Sequence, residues 1–278
     1  CGANGCGGVC GLCEPGQMCM NGLCPPPGKN CIDGNDVDWD GCSDFELGEF
    51  LVNSNTIDWQ IEPQVASFPD GSYVVVWASK NQDGNLYGIF GQRFGAEGPA
   101  QGPEFQVNSE TDDHQEHPAV AALTGGGFVV VYESWGLDGS GDAIAAQVFG
   151  VDGSKISNEI VVNQITAGDQ GNPAVTGTAD GGFAVVWDGV DMELDWNGIH
   201  GRKVSEIGEP QGDQFTLNQD TVGTQQLPAL TTLASDNLVV AWQSDGEGNA
   251  NSYIMGAIFQ DDGIVVAKES AWNTYLQG

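Results

Sequence analysis

The sequence predicts an all-β protein: a propeller of four-stranded blades preceded by a small disulfide-rich module. Three observations predict it. A 55-residue period runs from Asn53 onward, each period carries a strand pattern, and all eight cysteines fall within the first 42 residues. Glycine at 42 of 278 positions, without a collagen period, suits a turn-dense β protein better than a helical one.

The period is the strongest signal, because a fixed long repeat means that each unit leans on its neighbours to bury its faces. Asn53, Asn108, Asn163, Asn218 and Asn273 are spaced by 55, as are Gln60, Gln115, Gln170 and Gln225, and Pro63, Pro118, Pro173 and Pro228. An aromatic column (Trp77, Tyr132, Trp187, Trp242), an isoleucine column (Ile89, Ile144, Ile199, Ile254) and a final apolar column (Phe94, Phe149, Val204, Phe259) keep the same step. Within one unit, Glu49–Asn53 and Gln64–Phe68 read as short strands, Tyr73–Trp77 as a β-branched run buried on both faces, and Gly88–Phe94 as an alternating strand. Pro69-Asp-Gly71 and its counterparts Thr124–Gly127, Asp180–Gly182 and Ser235–Asn237 supply hairpin turns. Four strands in a unit of this length match a propeller blade, whereas a sandwich needs about 100 residues per unit.

The expected organisation is therefore a module over 1–47 and tandem repeats over 48–278, divided as 49–103, 104–158, 159–213, 214–269 and a partial fifth, 270–278. A closed ring needs each strand once, so Glu49–Asn53 and Ser270–Asn273 together leave one segment surplus. The expectation is that further repeats follow, or that the spare edge pairs with another subunit.

Cys1, Cys6, Cys10, Cys13, Cys19, Cys24, Cys31 and Cys42 sit among Gly and Pro with too few apolar residues for a core. Such a segment holds itself by cross-links, which persist in an oxidising compartment, so the reading is disulfides and a secreted, extracellular or cell-surface location. Zinc is the competing reading; no His precedes His114, and a four-thiolate site leaves four cysteines unexplained. Asp36-Val-Asp38-Trp-Asp40-Gly41, with Asp44 and Glu46 beyond, places oxygen donors at alternate positions before a turn glycine. That spacing suits a structural Ca²⁺ ion, although Leu47 stands where a closing glutamate is expected. The alternative is a solvated acidic turn.

Residues Cys1–Cys24 resemble the six-cysteine module of secreted myxobacterial proteins, and Cys31–Cys42 resembles the myxococcal cysteine-rich repeat, without the further cysteine expected after Cys42. The resemblance implies an extracellular spacer and makes Cys1 an interior module cysteine; a lipidated Cys1 would leave one thiol unpaired. From Glu49 to Asn273 the chain is similar to a repeat of bacterial secreted proteins, with Glu104-Phe-Gln-Val-Asn108 leading the unit and a Trp-x-Ser-x-x-x-Asp-Gly stretch at Trp77–Gly84. This implies an extracellular propeller-like domain and no catalytic residue.

Charge narrows the partners. Thirty-nine acids against seven bases give a formal net charge of −32, which repels nucleic acid and anionic membrane. No apolar run approaches the ~18 residues of a membrane span. The loops after the aromatic column are rich in acid and glycine, and the third (Asp188, Asp191, Glu193, Asp195) is the best candidate for a second Ca²⁺ site. Trp135 and Trp196 are candidate sugar-stacking residues beside acids. His114 and His117 form a His-x-x-His pair without a third ligand, and Gly-x-Ser-x-Gly, phosphate-loop and His-Glu-x-x-His motifs are absent. The Asn and Gln columns read as clamps on turn backbone. The resulting expectation is an extracellular structural or adhesive protein, calcium-stabilised, that self-associates with neighbouring subunits or binds an extracellular polymer. A glycan-binding lectin or polysaccharide-degrading enzyme on a propeller scaffold is the alternative.

Overall fold

β-Branched and aromatic residues crowd the segments between Gly- and Asp-rich turns, and those segments are the strands. The computed structural model describes residues 50–96, 98–190, 197–219, 222–245, 251–260 and 264–271. The chain divides into two compact units, 1–54 and 55–278. All eight cysteines and the acids Asp36 to Glu46 lie outside the described residues.

Among the described residues, sixteen strands form four antiparallel four-stranded sheets, and no residue is helical. The first sheet comprises β1 (Gln60–Ser67), β2 (Tyr73–Lys80), β3 (Tyr87–Phe94) and β4 (Phe105–Gln106). The second comprises β5 (Gln115–Ala122), β6 (Phe128–Trp135), β7 (Asp142–Phe149) and β8 (Ile160–Val161). The third contains β9 (Gln170–Gly177), β10 (Phe183–Val190), β11 (Asn197–Val204) and β12 (Pro210–Thr216). The fourth contains β13 (Gln225–Thr232), β14 (Leu238–Asp245), β15 (Ser252–Phe259) and β16 (Val265–Ala271).

The phase of the sheets differs from the phase of the repeat. Phe105–Gln106, which leads the second repeat, pairs with Phe90–Gly91 and closes the first sheet. In the same way Val265–Ala271 completes the fourth sheet, while residues 50–53 are in no strand. A strand's sheet is set by the edge it reaches, and a period marks only where the pattern restarts.

Successive sheets stack through their apolar faces. Val74, Val76 and Ile89 of the first meet Phe128, Val130 and Tyr132 of the second. Val129, Val131 and Ile144 of the second meet Phe183, Val185 and Trp187 of the third. Val186 and Ile199 then meet Val240 and Trp242. The first strands β1, β5, β9 and β13 pack in series, and no packing of similar extent joins β13 to β1. The end faces are correspondingly open: Ile254 is 46% exposed where Ile89, Ile144 and Ile199 are fully buried. The fold is thus a propeller-like series of blades.

The polar columns lock each blade. Asn108, Asn163 and Asn218 accept, through Oδ1, the backbone N–H of Ile89, Ile144 and Ile199 at 2.9, 2.9 and 2.7 Å. Gln60, Gln170 and Gln225 accept the indole N–H of Trp77, Trp187 and Trp242 at 2.9, 3.1 and 2.9 Å. Where the second blade has Tyr132 instead, Gln115 Oε1 accepts from Asn108 Nδ2, and the tyrosine hydroxyl donates to Glu159. Buried amides and indoles left without partners would each cost about 1–3 kcal/mol, so these columns are a condition of burying the aromatics.

Candidate functional site

Glu62, His117, Asn172 and Leu227 occupy one repeat column and share a backbone conformation, with φ of 57°, 52°, 51° and 55°. Each precedes the proline of its blade (Pro63, Pro118, Pro173, Pro228) at a break in the pairing between first and second strands. Positive φ in a residue other than glycine costs on the order of 1–3 kcal/mol and persists only when its surroundings enforce it. For the last three the enforcing contact is a carboxylate from the preceding blade. His117 N–H donates to Glu62 Oε2 at 2.8 Å, Asn172 N–H to Glu133 Oε1 at 2.6 Å and Leu227 N–H to Asp188 Oδ1 at 3.0 Å. The bulges carry the column to the end of the stack where the four first strands converge. There Glu62, Gln64, His117, Asn172 and Leu227, with Pro118, Pro173 and Pro228, line a pocket of about 290 Å³.

Two carboxylates lie buried behind this lining, bonded to His117, Asn172 and Leu227. Glu133 and Asp188 hold the position directly after the aromatic column and are 8% and 5% exposed. Ala78 and Gln243 fill that position in the outer blades; at the first interface Glu62 supplies the carboxylate instead. Glu133 Oε2 is 2.9 Å from His117 Nδ1, and His117 Nε2 is 3.4 Å from Glu62 Oε1. Asp188 Oδ1 also accepts from Asn172 Nδ2 at 2.9 Å. Gly171 leaves room between the two: a methyl group there would sit 3.1 Å from Glu133 Oε1 and 4.0 Å from Asp188 Oδ2.

The environments push the protonation equilibria apart. Burial raises the Asp188 carboxyl to about 6, with the charge of Glu133 adding to the rise against the hydrogen bonds from Leu227 and Asn172. The hydrogen bond to Glu133 raises His117 to about 9 against its partial burial, with further support from the charges of Glu133, Glu62 and Glu116. Near neutrality the site therefore holds an imidazolium between two carboxylates and an aspartate that retains a fraction of its protons. That is a proton donor beside an anion, which acid–base chemistry needs.

Of the residues expected from sequence, Asp188 is at this site but not in a loop. It lies within β10 and hydrogen-bonds across the blade interface. Asp191, Glu193, Asp195 and Trp196 lie outside the described residues. Trp135 ends β6 and is 43% exposed. The His-x-x-His pair does not converge. His114 meets Asp113 and Asp142 at 3.0 and 3.4 Å, whereas the bulge at His117 turns that ring to Glu133 and Glu62. Loop acids Asp83 and Asp138 receive the Nδ2 groups of the clamping Asn108 and Asn163 at 3.3 and 2.7 Å. Among the described residues, no group of three or more His, Cys, Asp or Glu is arranged to hold a metal ion. Sequence reasoning missed Glu62 and Glu133. The signal for Glu133 was a charged residue following a buried β-branched run at a position where the repeats diverge.

No family model and no curated protein matches the chain. Solved structures match its fold. An α-L-arabinanase from Penicillium chrysogenum aligns with a TM-score of 0.55 at 12% identity, over 76% of this chain and 66% of its own. An α-L-arabinofuranosidase of Fusarium graminearum gives 0.57 at 10% identity, over 76% and 66%. A protein of unknown function from Dyadobacter fermentans gives 0.57 at 10% identity, over 81% and 68%. The chain thus spans just under two thirds of the length of the arabinanase and of the arabinofuranosidase. These likenesses correct the expectation of a structural or adhesive protein binding neighbouring subunits, because the named neighbours are polysaccharide-degrading enzymes. That expectation rested on the repeat register, the surplus terminal segment and the lack of a catalytic set in the sequence. The axial acids come from three successive blades and meet only once the blades are stacked.

Proposed function

We propose that the chain acts on polysaccharides and hydrolyses glycosidic bonds at the axial pocket. The observation that carries this reading is the pairing of Asp188, raised to about 6 by burial, with Glu133, held by His117 and by the Asn172 N–H. Glycoside hydrolysis by carboxyl pairs needs one group that delivers a proton to the leaving oxygen and one carboxylate that attacks the sugar or activates water. Asp188 is assigned the first role and Glu133 the second. His117 positions Glu133, and Glu62 at the pocket wall receives the other ring nitrogen of His117. Stacking of rigid blades fixes these groups from separate strands, which supports the alignment that such chemistry requires.

The test is release of reducing ends from a panel of polysaccharides, beginning with arabinan because one fold neighbour is an arabinanase. Release is expected from the native chain and not from Asp188→Asn or Glu133→Gln. Absence of release across the panel, or unchanged release by both variants, overturns the reading.

An extracellular polysaccharide as target accords with a secreted location and with disulfide pairing of the cysteines between Cys1 and Cys42. Structural Ca²⁺ held by Asp36, Asp38, Asp40, Asp44 and Glu46 belongs to the same proposal, on the ligand spacing alone. A chelator is then expected to lower the melting temperature of the intact chain, and an unchanged melt removes the ion.

A further inference from the structure

A second cleft, of about 500 Å³, lies where the first two blades meet and is lined by Asn85, Glu110, Asp112, Asp113, Trp135 and Leu137. We propose that this cleft is a binding subsite for uncharged glycan chains, with the Trp135 indole as its platform. The ligand class follows the polysaccharide reading above; the site itself is argued from its own residues.

Trp135 departs from the repeat. Its column reads Lys80, Trp135, Val190 and Asp245, so the shared packing of the blades does not demand an aromatic there. In the first blade the corresponding positions are reversed, with the Lys80 ammonium over the Trp59 ring at 5.6 Å. In the second blade His114 replaces that tryptophan, and Trp135 lies tilted against the imidazole, with ring centroids 5.6 Å apart and an interplanar angle of 36°. The backbone N–H of Trp135 donates to His114 O at 3.1 Å, and the ring of His114 is held by Asp113 and Asp142. The indole is therefore fixed on one side and 43% exposed on the other. A single exposed aromatic is ordinary; one that is backed, held and set in a cleft with polar walls matches the make-up of a ligand site.

The polar walls select the ligand. Glu110 Oε1 accepts the backbone N–H groups of Thr111 and Asp112, both at 3.0 Å, which fixes the loop that bears Asp112 and Asp113. Carboxylates and the Asn85 amide offer acceptors for vicinal hydroxyls, while the indole face takes the C–H face of a sugar ring. Three acids at the cleft, on a chain of net charge −32, oppose a uronate or sulfated chain. An uncharged oligosaccharide satisfies both walls.

Isothermal titration with arabino- and xylo-oligosaccharides, and with polygalacturonate as the anionic arm, tests this on the intact chain. The native protein is expected to bind a neutral oligosaccharide and not polygalacturonate. Trp135→Ala should weaken binding about tenfold or more, and Trp135→Phe should keep most of it. Melting curves of both variants establish that they are folded, and Trp135→Phe carries the test if the alanine variant is not. Binding unchanged in Trp135→Ala, tighter binding of polygalacturonate than of neutral chains, or no binding by the native protein overturns the subsite. Trp135-dependent binding without hydrolysis leaves the subsite standing and removes the axial reading. Hydrolysis with binding indifferent to Trp135 does the reverse.

Discussion

Leu227 of β13 donates its backbone N–H to Asp188 Oδ1 of β10 at 3.0 Å, so a carboxylate in one blade holds a positive-φ residue in the next. The same oxygen accepts Asn172 Nδ2. Replacing Asp188 by leucine strands both donors, and each buried donor without an acceptor costs about 1–3 kcal/mol. Asparagine retains one acceptor oxygen. Urea unfolding should therefore rank Asp188→Asn above Asp188→Leu. Equal stability of the two variants would remove the stapling role.

The axial groups also set a pH dependence. Asp188 binds its proton more tightly in the folded chain, at about 6, than at its ordinary 3.8. The stability it contributes is thus complete below 3.8 and is lost as pH rises through 6, a change on the order of 3 kcal/mol. His117, raised from 6.5 to about 9, contributes stability that is complete below 6.5 and lost as pH rises through 9. Solvent screens His117, which makes its slope the shallower of the two. Urea midpoints from pH 4 to 10 should show both falls, with Asp188→Asn lacking the lower one and His117→Gln the upper. A variant that keeps its slope refutes the assignment of that window.

The repeat was legible because packing of blade on blade imposes the same residues at the same step, as the Ile89 column and its Asn108 clamp illustrate. Amide columns read as clamps prove to be clamps, because a sheet that buries aromatics must satisfy their polar edges. Sheet membership was not legible: Phe105 carries no mark that it will close the sheet before it. The axial site was hidden for two reasons. Glu62, Glu133 and Asp188 are distant in sequence and converge only in the stack, and the bulge that turns His117 toward them gives it a positive φ where a residue before proline favours extended backbone. Local rules fail where a site overrides them.

The Asn column makes a separate prediction about the scaffold. Asn163 Oδ1 takes the N–H of the fully buried Ile144, and its Nδ2 reaches Asp138 and the carbonyl of Ile165. Asn163→Ala removes all three, at a cost of about 1–3 kcal/mol for the buried N–H alone. Asn163→Asp keeps the acceptor and places a second carboxylate against Asp138. Hydrogen exchange at the Ile144 amide should accelerate in Asn163→Ala and much less in Asn163→Asp. Unchanged protection in the alanine variant contradicts the clamp.

Gly171 permits a test of the carboxyl pair that does not touch a titrating group. A methyl group at this position would meet Glu133 Oε1 at 3.1 Å, tight enough to shift a carboxylate that is also held by Asn172 N–H and the His117 ring. The atom met is the end of a side chain and not backbone, so Gly171→Ala should fold with a modest loss of stability. Displacing Glu133 weakens the hydrogen bond that is the leading cause of the raised His117 pKa. The His117 ring titration, followed by NMR, should then move from about 9 toward 6.5, and reducing-end release should fall with it. A His117 titration that stays at the native value in Gly171→Ala shows that Glu133 is not displaced, and a fall in activity in that variant would then need another cause.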